Sequence, residues 1–133
     1  MEKKVKKPTS KGPESTFTGE VWHDALAEAG NGSRLQVGLV RFSPGARSAW
    51  HSHANGQTLH VTDGIGYVAA LGEEPVLVRM GDTVYAPPGE VHWHGATRHD
   101  SFAHLSITEA LAPGQEGPVT DWGAHVTDDE YPA

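Results

Sequence analysis

The stretch Gly45-Ala46-Arg47-Ser48-Ala49-Trp50-His51-Ser52-His53-Ala54-Asn55-Gly56-Gln57, running on through Thr58-Leu59-His60-Val61-Thr62-Asp63 to Gly64, decides how the rest of the chain is read. His51 and His53 are two apart. Alternate residues of a strand project from one face, so both imidazoles reach one point. Asn55-Gly56 is a turn signal, and Gln57 beyond it returns an amide oxygen toward that point from the next strand. A second stretch, Gly81-Asp82-Thr83-Val84-Tyr85-Ala86-Pro87-Pro88-Gly89-Glu90-Val91-His92-Trp93-His94-Gly95-Ala96, offers His92 as a third imidazole. Three neutral imidazoles and one oxygen, with open positions for a substrate, suit a first-row divalent metal. Residue type and spacing alone also admit a plainer reading, scattered surface histidines. His23, His99 and His125 are read that way. His60 faces away from Gln57, Leu59 and Val61 and is read as surface or interface.

Working outward, short alternating segments dominate. Residues 34–42 (RLQVGLVRF) place Leu35, Val37 and Leu39 on one face and Gln36, Gly38 and Val40 on the other. Further strands are expected at 16–22, 46–51, 57–62, 65–71, 76–79, 83–86, 91–96 and 102–109, separated by Gly- and Pro-containing turns. A weak helical turn is expected within 23–33 and a short helix near 120–124. This pattern predicts a single all-β domain, a sandwich or barrel, over residues 16–109. A flexible N-terminal arm (1–15) precedes it, and a C-terminal extension (110–133) is expected to pack on its outside.

Composition narrows the function classes. The 133 residues include 17 acids and 10 Lys or Arg. Five of those bases lie in the first eleven residues, so the remainder carries 5 bases against 16 acids. Such a body repels phosphate backbones, and no nucleic-acid partner is expected. There is no cysteine, which excludes disulfides, thiolate metal sites and a cysteine nucleophile. No apolar run approaches a membrane span and no h-region follows the Lys-rich start. A cytoplasmic protein without a membrane partner is expected.

The two histidine stretches resemble the two motifs of the cupins. The first reads Gly45, His51, His53, Gln57, Gly64, with Gln57 where most members have Glu. The second reads Gly81, Pro87, Gly89, His92, with Ala96 where the motif ends in Asn. The resemblance implies a cupin jelly-roll β-barrel with a divalent metal held by His51, His53, Gln57 and His92. The run from Pro44 to His53, the Gly56–Leu59 and Pro88–Ala96 segments and the His104-Leu105 pair are similar to the small single-domain cupins that include manganese-dependent hydroxynitrile lyases. That implies a lyase acting on a cyanohydrin, aldehyde or other hydroxy or carbonyl compound, with manganese, or else iron, nickel or zinc. A homodimer or higher homo-oligomer is implied as well. Two alternatives stand beside it: a cupin dioxygenase or other oxidoreductase, and a non-enzymatic metal- or ligand-binding cupin. Gln57 removes a negative charge from the ligand set. That favours polarising a hydroxyl or carbonyl over oxygen activation.

Residues 91–96 and 102–109 look like two arms of a hairpin. Parity then puts His92, His94, His104, Ser106 and Thr108 on the lumen face, with His94 opposite His104 across the ladder. His104 is the candidate general base, and His94 a neighbour able to stabilise or protonate cyanide. The competing role for His104 is a core histidine bonded to backbone or Asp100. Val40, Ser48 and Thr108 are candidate lining residues. Trp50 and Trp93 point outward as sheet packing or a dimer interface, Phe42 and Phe102 form core, and Arg47 is expected to pair with Glu90 or Glu109.

Overall fold

The computed structural model describes all 133 residues. It is all-strand, with no helix. The strands are β1 (Ser10–Lys11), β2 (Phe17–Thr18), β3 (Val21–Ala27), β4 (Leu35–Phe42), β5 (Arg47–Ser48), β6 (His51–His53), β7 (Gln57–Ala70), β8 (Val76–Arg79), β9 (Thr83–Ala86), β10 (His92–Ala96), β11 (Phe102–Glu109) and β12 (Thr120–Trp122). One sheet runs β1-β3-β4-β11-β7-β9 and the other β2-β5-β10-β7-β8, with β6 beside β10 and β12 beside β6. All pairings are antiparallel.

The 14-residue β7 joins the two sheets: its first half pairs with β11 and β9, its second with β10 and β8. The crossing needs a bend. A register shift falls opposite Ala103/His104, and Gly64 follows at φ 74°. A Cβ on Gly64 would lie 1.9 Å from the Ser101 carbonyl oxygen, so only glycine fits.

Alternation within the strands fills the barrel. Val21, Val40, Phe42, Ala46, Val61, Val78, Ala96 and Phe102 form one buried apolar cluster. A second, of Ala69, Trp93, Val126 and Tyr131, lies on the outer face of the β7–β10 sheet under the C-terminal segment. The outward tryptophans are thus covered by the chain itself. Trp93 is buried, and Trp50 Nε1 donates to Glu130.

Several expectations are corrected. No helical turn forms at 23–33, because residues 21–27 pair with β4. No helix forms at 120–124 either, where Thr120–Trp122 pairs with His51–His53. Ser10–Lys11, inside the stretch read as an arm, pairs with Trp22 and His23. Arg47 bonds the Val126 carbonyl and Asp128 at 2.9 Å and lies over the Tyr131 ring. Glu109 instead pairs with Arg34. Strands β10 and β11 are not a ladder pair: β10 bonds β5, β6 and β7, while β11 bonds β4 and β7. No helix is long and apolar enough to cross a membrane.

Candidate active site

Three short segments converge at one end of the barrel. β6 carries His51 and His53, both inward by parity, and pairs His51 directly with His92 on β10. All three are buried, and one ring nitrogen from each lies within 4.8 Å of the others. Each Nδ1 is tied off. His51 Nδ1 donates to the Ala49 carbonyl at 2.8 Å and His92 Nδ1 to the Glu90 carbonyl at 2.9 Å. His53 Nδ1 faces Thr120 Oγ1 at 3.3 Å. A carbonyl only accepts, so the His51 and His92 protons are on Nδ1 and each Nε2 keeps its lone pair.

Burial holds these rings neutral. The desolvation cost of an imidazolium pushes His51 down to about 3, helped by neighbouring His92, and His53 down to about 4. It lowers His92 as well. Neutral imidazoles are the form a metal requires.

Gln57 completes the set. Its Nε2 donates to Ser106 Oγ at 2.9 Å, which turns Oε1 toward His92 Nε2, 3.0 Å away. Two acceptors therefore face each other, and the buried His53 Nε2 has no partner at all. Unsatisfied lone pairs converging in a buried place are what a cation satisfies. The expected ligands His51, His53, Gln57 and His92 are thus brought together, and the donor set fits a divalent metal.

His94 and His104 are also brought together, but across the barrel interior. His104 Nε2 and His94 Nδ1 are 3.0 Å apart with rings nearly perpendicular. His94 packs against His51 and His92 on one side, and Phe42 and Phe102 flank His104 on the other. Asp100 bonds Thr97, not His104. Both rings are fully buried; desolvation pushes His104 down to about 4 and holds His94 well below its ordinary value. Each end of the pair, His94 Nε2 and His104 Nδ1, lacks a partner. In the neutral pair one end is an N–H and the other a lone pair.

One cavity touches the cluster and a second lies beyond Ser106. A cavity of about 190 Å³ touches His92 and is walled by Leu59, Val68, Ala70, Val84 and Ala86. A more polar cleft of about 260 Å³ is lined by His23, Gln36, Gly38, Ser106 and Thr108. Thr108 is a lining residue as expected. Val40 belongs to the apolar core, and Ser48 accepts from the His94 backbone N–H. His23, His99 and His125 are exposed as expected, and His23 also lines this cleft. Thr120 and Trp122 back the histidines, Trp122 lying 4.6 Å from the His51 ring. Nothing in the sequence flagged them, because the C-terminal register on β6 has no local signal.

A barrel of this topology with this ligand set defines the class: the chain belongs to the cupins, its residues 38–108 matching the cupin domain family. It is 43% identical over 123 residues to an (R)-mandelonitrile lyase of Granulicella tundricola, covering 92% of this chain and 91% of that protein. A cupin-like protein of Thermotoga maritima shares the fold at a TM-score of 0.84, with 41% identity over 92% of this chain and 90% of its own. The polyketide cyclase RemF of Streptomyces resistomycificus aligns at a TM-score of 0.73 over 98% of this chain and 90% of its own, but at 16% identity. That last likeness speaks to fold alone.

Proposed function

We propose that this cupin is a hydroxynitrile lyase, cleaving an aromatic 2-hydroxynitrile to an aldehyde and hydrogen cyanide. The observation that carries the reading is the buried, neutral His94–His104 pair beside the three-histidine cluster, in a chain 43% identical to an (R)-mandelonitrile lyase. His51, His53, His92 and Gln57 would hold a divalent cation, manganese by the family resemblance. Bound there, it supplies Lewis acidity toward a hydroxyl or carbonyl oxygen.

The chain's own residues do the rest. The apolar wall of Leu59, Val68, Val84 and Ala86 takes the aromatic body. His104 is the base. A lone pair at Nδ1 requires its proton on Nε2, and His94 Nδ1 accepts from that N–H. His104 Nδ1 takes the hydroxyl proton as the bond between the carbinol carbon and the nitrile carbon breaks. The electron pair leaves with cyanide. His94 stabilises the imidazolium that forms.

The test is benzaldehyde release from mandelonitrile by manganese-loaded protein. His104→Ala is expected to lose at least ~100-fold in rate with metal content unchanged. Retained cleavage in that variant removes His104 from the mechanism. No release by the parent chain removes the lyase reading and leaves the metal site standing.

A further inference from the structure

The polar cleft on the β3–β4–β11 side contains an imidazole the lyase reading does not use. β3 pairs His23 with Val40, and β11 pairs the same Val40 with His104. Directly opposed residues of a ladder share a face. His23 therefore stands on the inner face in the same row as His104, two strands away, or about 10 Å by strand spacing. His104 is buried, whereas His23 is exposed on the β3 side of the sheet.

The His23 ring takes up the space that a side chain at residue 38 would fill. It lies over Gly38, and a Cβ at residue 38 would come within 2.3 Å of His23 Nε2. Gly38 has an ordinary strand pairing, with Ala25 on one side and Ser106 on the other, and no positive φ. Glycine here leaves room for the ring, and a methyl at residue 38 would have to push it aside. That space is taken by the imidazole, which lines the cleft together with Ser106 and Thr108. Ser106 in turn holds the amide of Gln57. The cleft is one hydrogen bond from the ligand set, on its polar side.

We propose that His23, seated over Gly38, is a leaving-group contact. It donates a hydrogen bond to the small anion released into this cleft. The inference rests on the lyase reading. With the aromatic body against the apolar wall and the hydroxyl proton on His104, the third substituent, the nitrile, faces the polar cleft. The C–C electron pair leaves as cyanide, and His23 N–H stabilises the charge as it develops, with no net proton from His23. The proton held by His104 and the cyanide together make up the hydrogen cyanide released. A charge-stabilising donor of this kind acts on the chemical step more than on substrate binding.

The test uses full-length protein, parent and His23→Ala, His23→Gln and Gly38→Ala. In zinc-loaded protein, which is diamagnetic, the ¹⁵N-imidazole signals of His23 are followed while cyanide is added. A saturable shift of those signals is expected, lost in Gly38→Ala because the added methyl displaces the ring. In manganese-loaded protein, kcat for mandelonitrile is expected to fall about tenfold in His23→Ala and in Gly38→Ala. KM, metal content and Tm should stay unchanged, with partial recovery in His23→Gln, which keeps a donor. His23 signals unmoved at saturating cyanide, or full kcat in His23→Ala, would overturn the proposal. A parent chain that releases no benzaldehyde removes the lyase reading separately, and the cyanide titration still reports whether His23 meets a bound anion.

Discussion

In the proposed metal site Gln57 is the neutral ligand, and Ser106 bonds its amide. A neutral amide leaves a bound dication with its full charge, where a carboxylate would offset part of it. An amide, however, presents an oxygen on one side and two N–H donors on the other, so its usefulness as a ligand depends on which way it is turned. The Ser106 hydroxyl accepts from Nε2 and thereby aims Oε1 inward. Ser106→Ala removes that constraint. We expect metal affinity to fall about tenfold, measured by competition with a chromophoric chelator, while the circular dichroism spectrum stays that of the parent. Unchanged affinity would mean that the amide is oriented without Ser106.

At the scale of elements, the C-terminal segment is part of the site's scaffold. β12 pairs with β6 and backs both of its histidines, while Trp50 exchanges backbone hydrogen bonds with Gly123 and Ala124. Further on, Tyr131 closes over Trp93, donates to the Ala96 carbonyl, and receives Arg47 and Arg98 on its ring. Tyr131→Ala should therefore cost about 3 kcal/mol, read from urea unfolding. It should also shift tryptophan emission to the red as Trp93 meets water. A loss below 1 kcal/mol would show that the segment covers the sheet without anchoring on Tyr131. The segment's composition, polar with Gly and Pro, indicated that it packs outside a core but carried no register. Register here is set by the β6 edge that receives it, which is nonlocal information.

For the whole molecule, the concentration of buried neutral histidines dictates the response to acid. The unfolded chain protonates these imidazoles near their ordinary value of 6.5. In the folded protein burial holds His53 and His104 down to about 4 and His51 to about 3. Below 6.5 the unfolded state therefore binds more protons, and stability falls as pH falls. We expect Tm to be flat above pH 7 and to drop between about 6.5 and 4, levelling near the folded values. Divalent cations compete with those protons and should move the drop to lower pH. Thermal scans from pH 8 to 4, with and without manganese, check both statements. A Tm that does not change from pH 7 to 5 would contradict the burial of these rings in solution.

The all-β class, the strands that alternate most strictly and the common face of His51 and His53 were legible in the sequence; the proposed ligand set of four came from the resemblance to the cupin motifs. The first three are local properties: a period of two, turn residues at fixed places, and histidines whose spacing on one strand fixes their common face. His104 was placed on the lumen face by the same parity. How residues meet across the barrel depended on the tertiary structure: the expected approach of His94 to His104 occurs, but not across a shared ladder. His94 and His104 touch although their strands do not pair, because two sheets closing on each other bring together inward faces with no register between them. His23 is a surface residue as its sequence context indicates, but its place over Gly38 beside the cleft depends on the neighbouring strand. Arg47 found Asp128 and Tyr131, not Glu90 or Glu109, because the C-terminal segment folds back over β10. Each of these outcomes depends on packing between segments far apart in the chain, which no local period encodes.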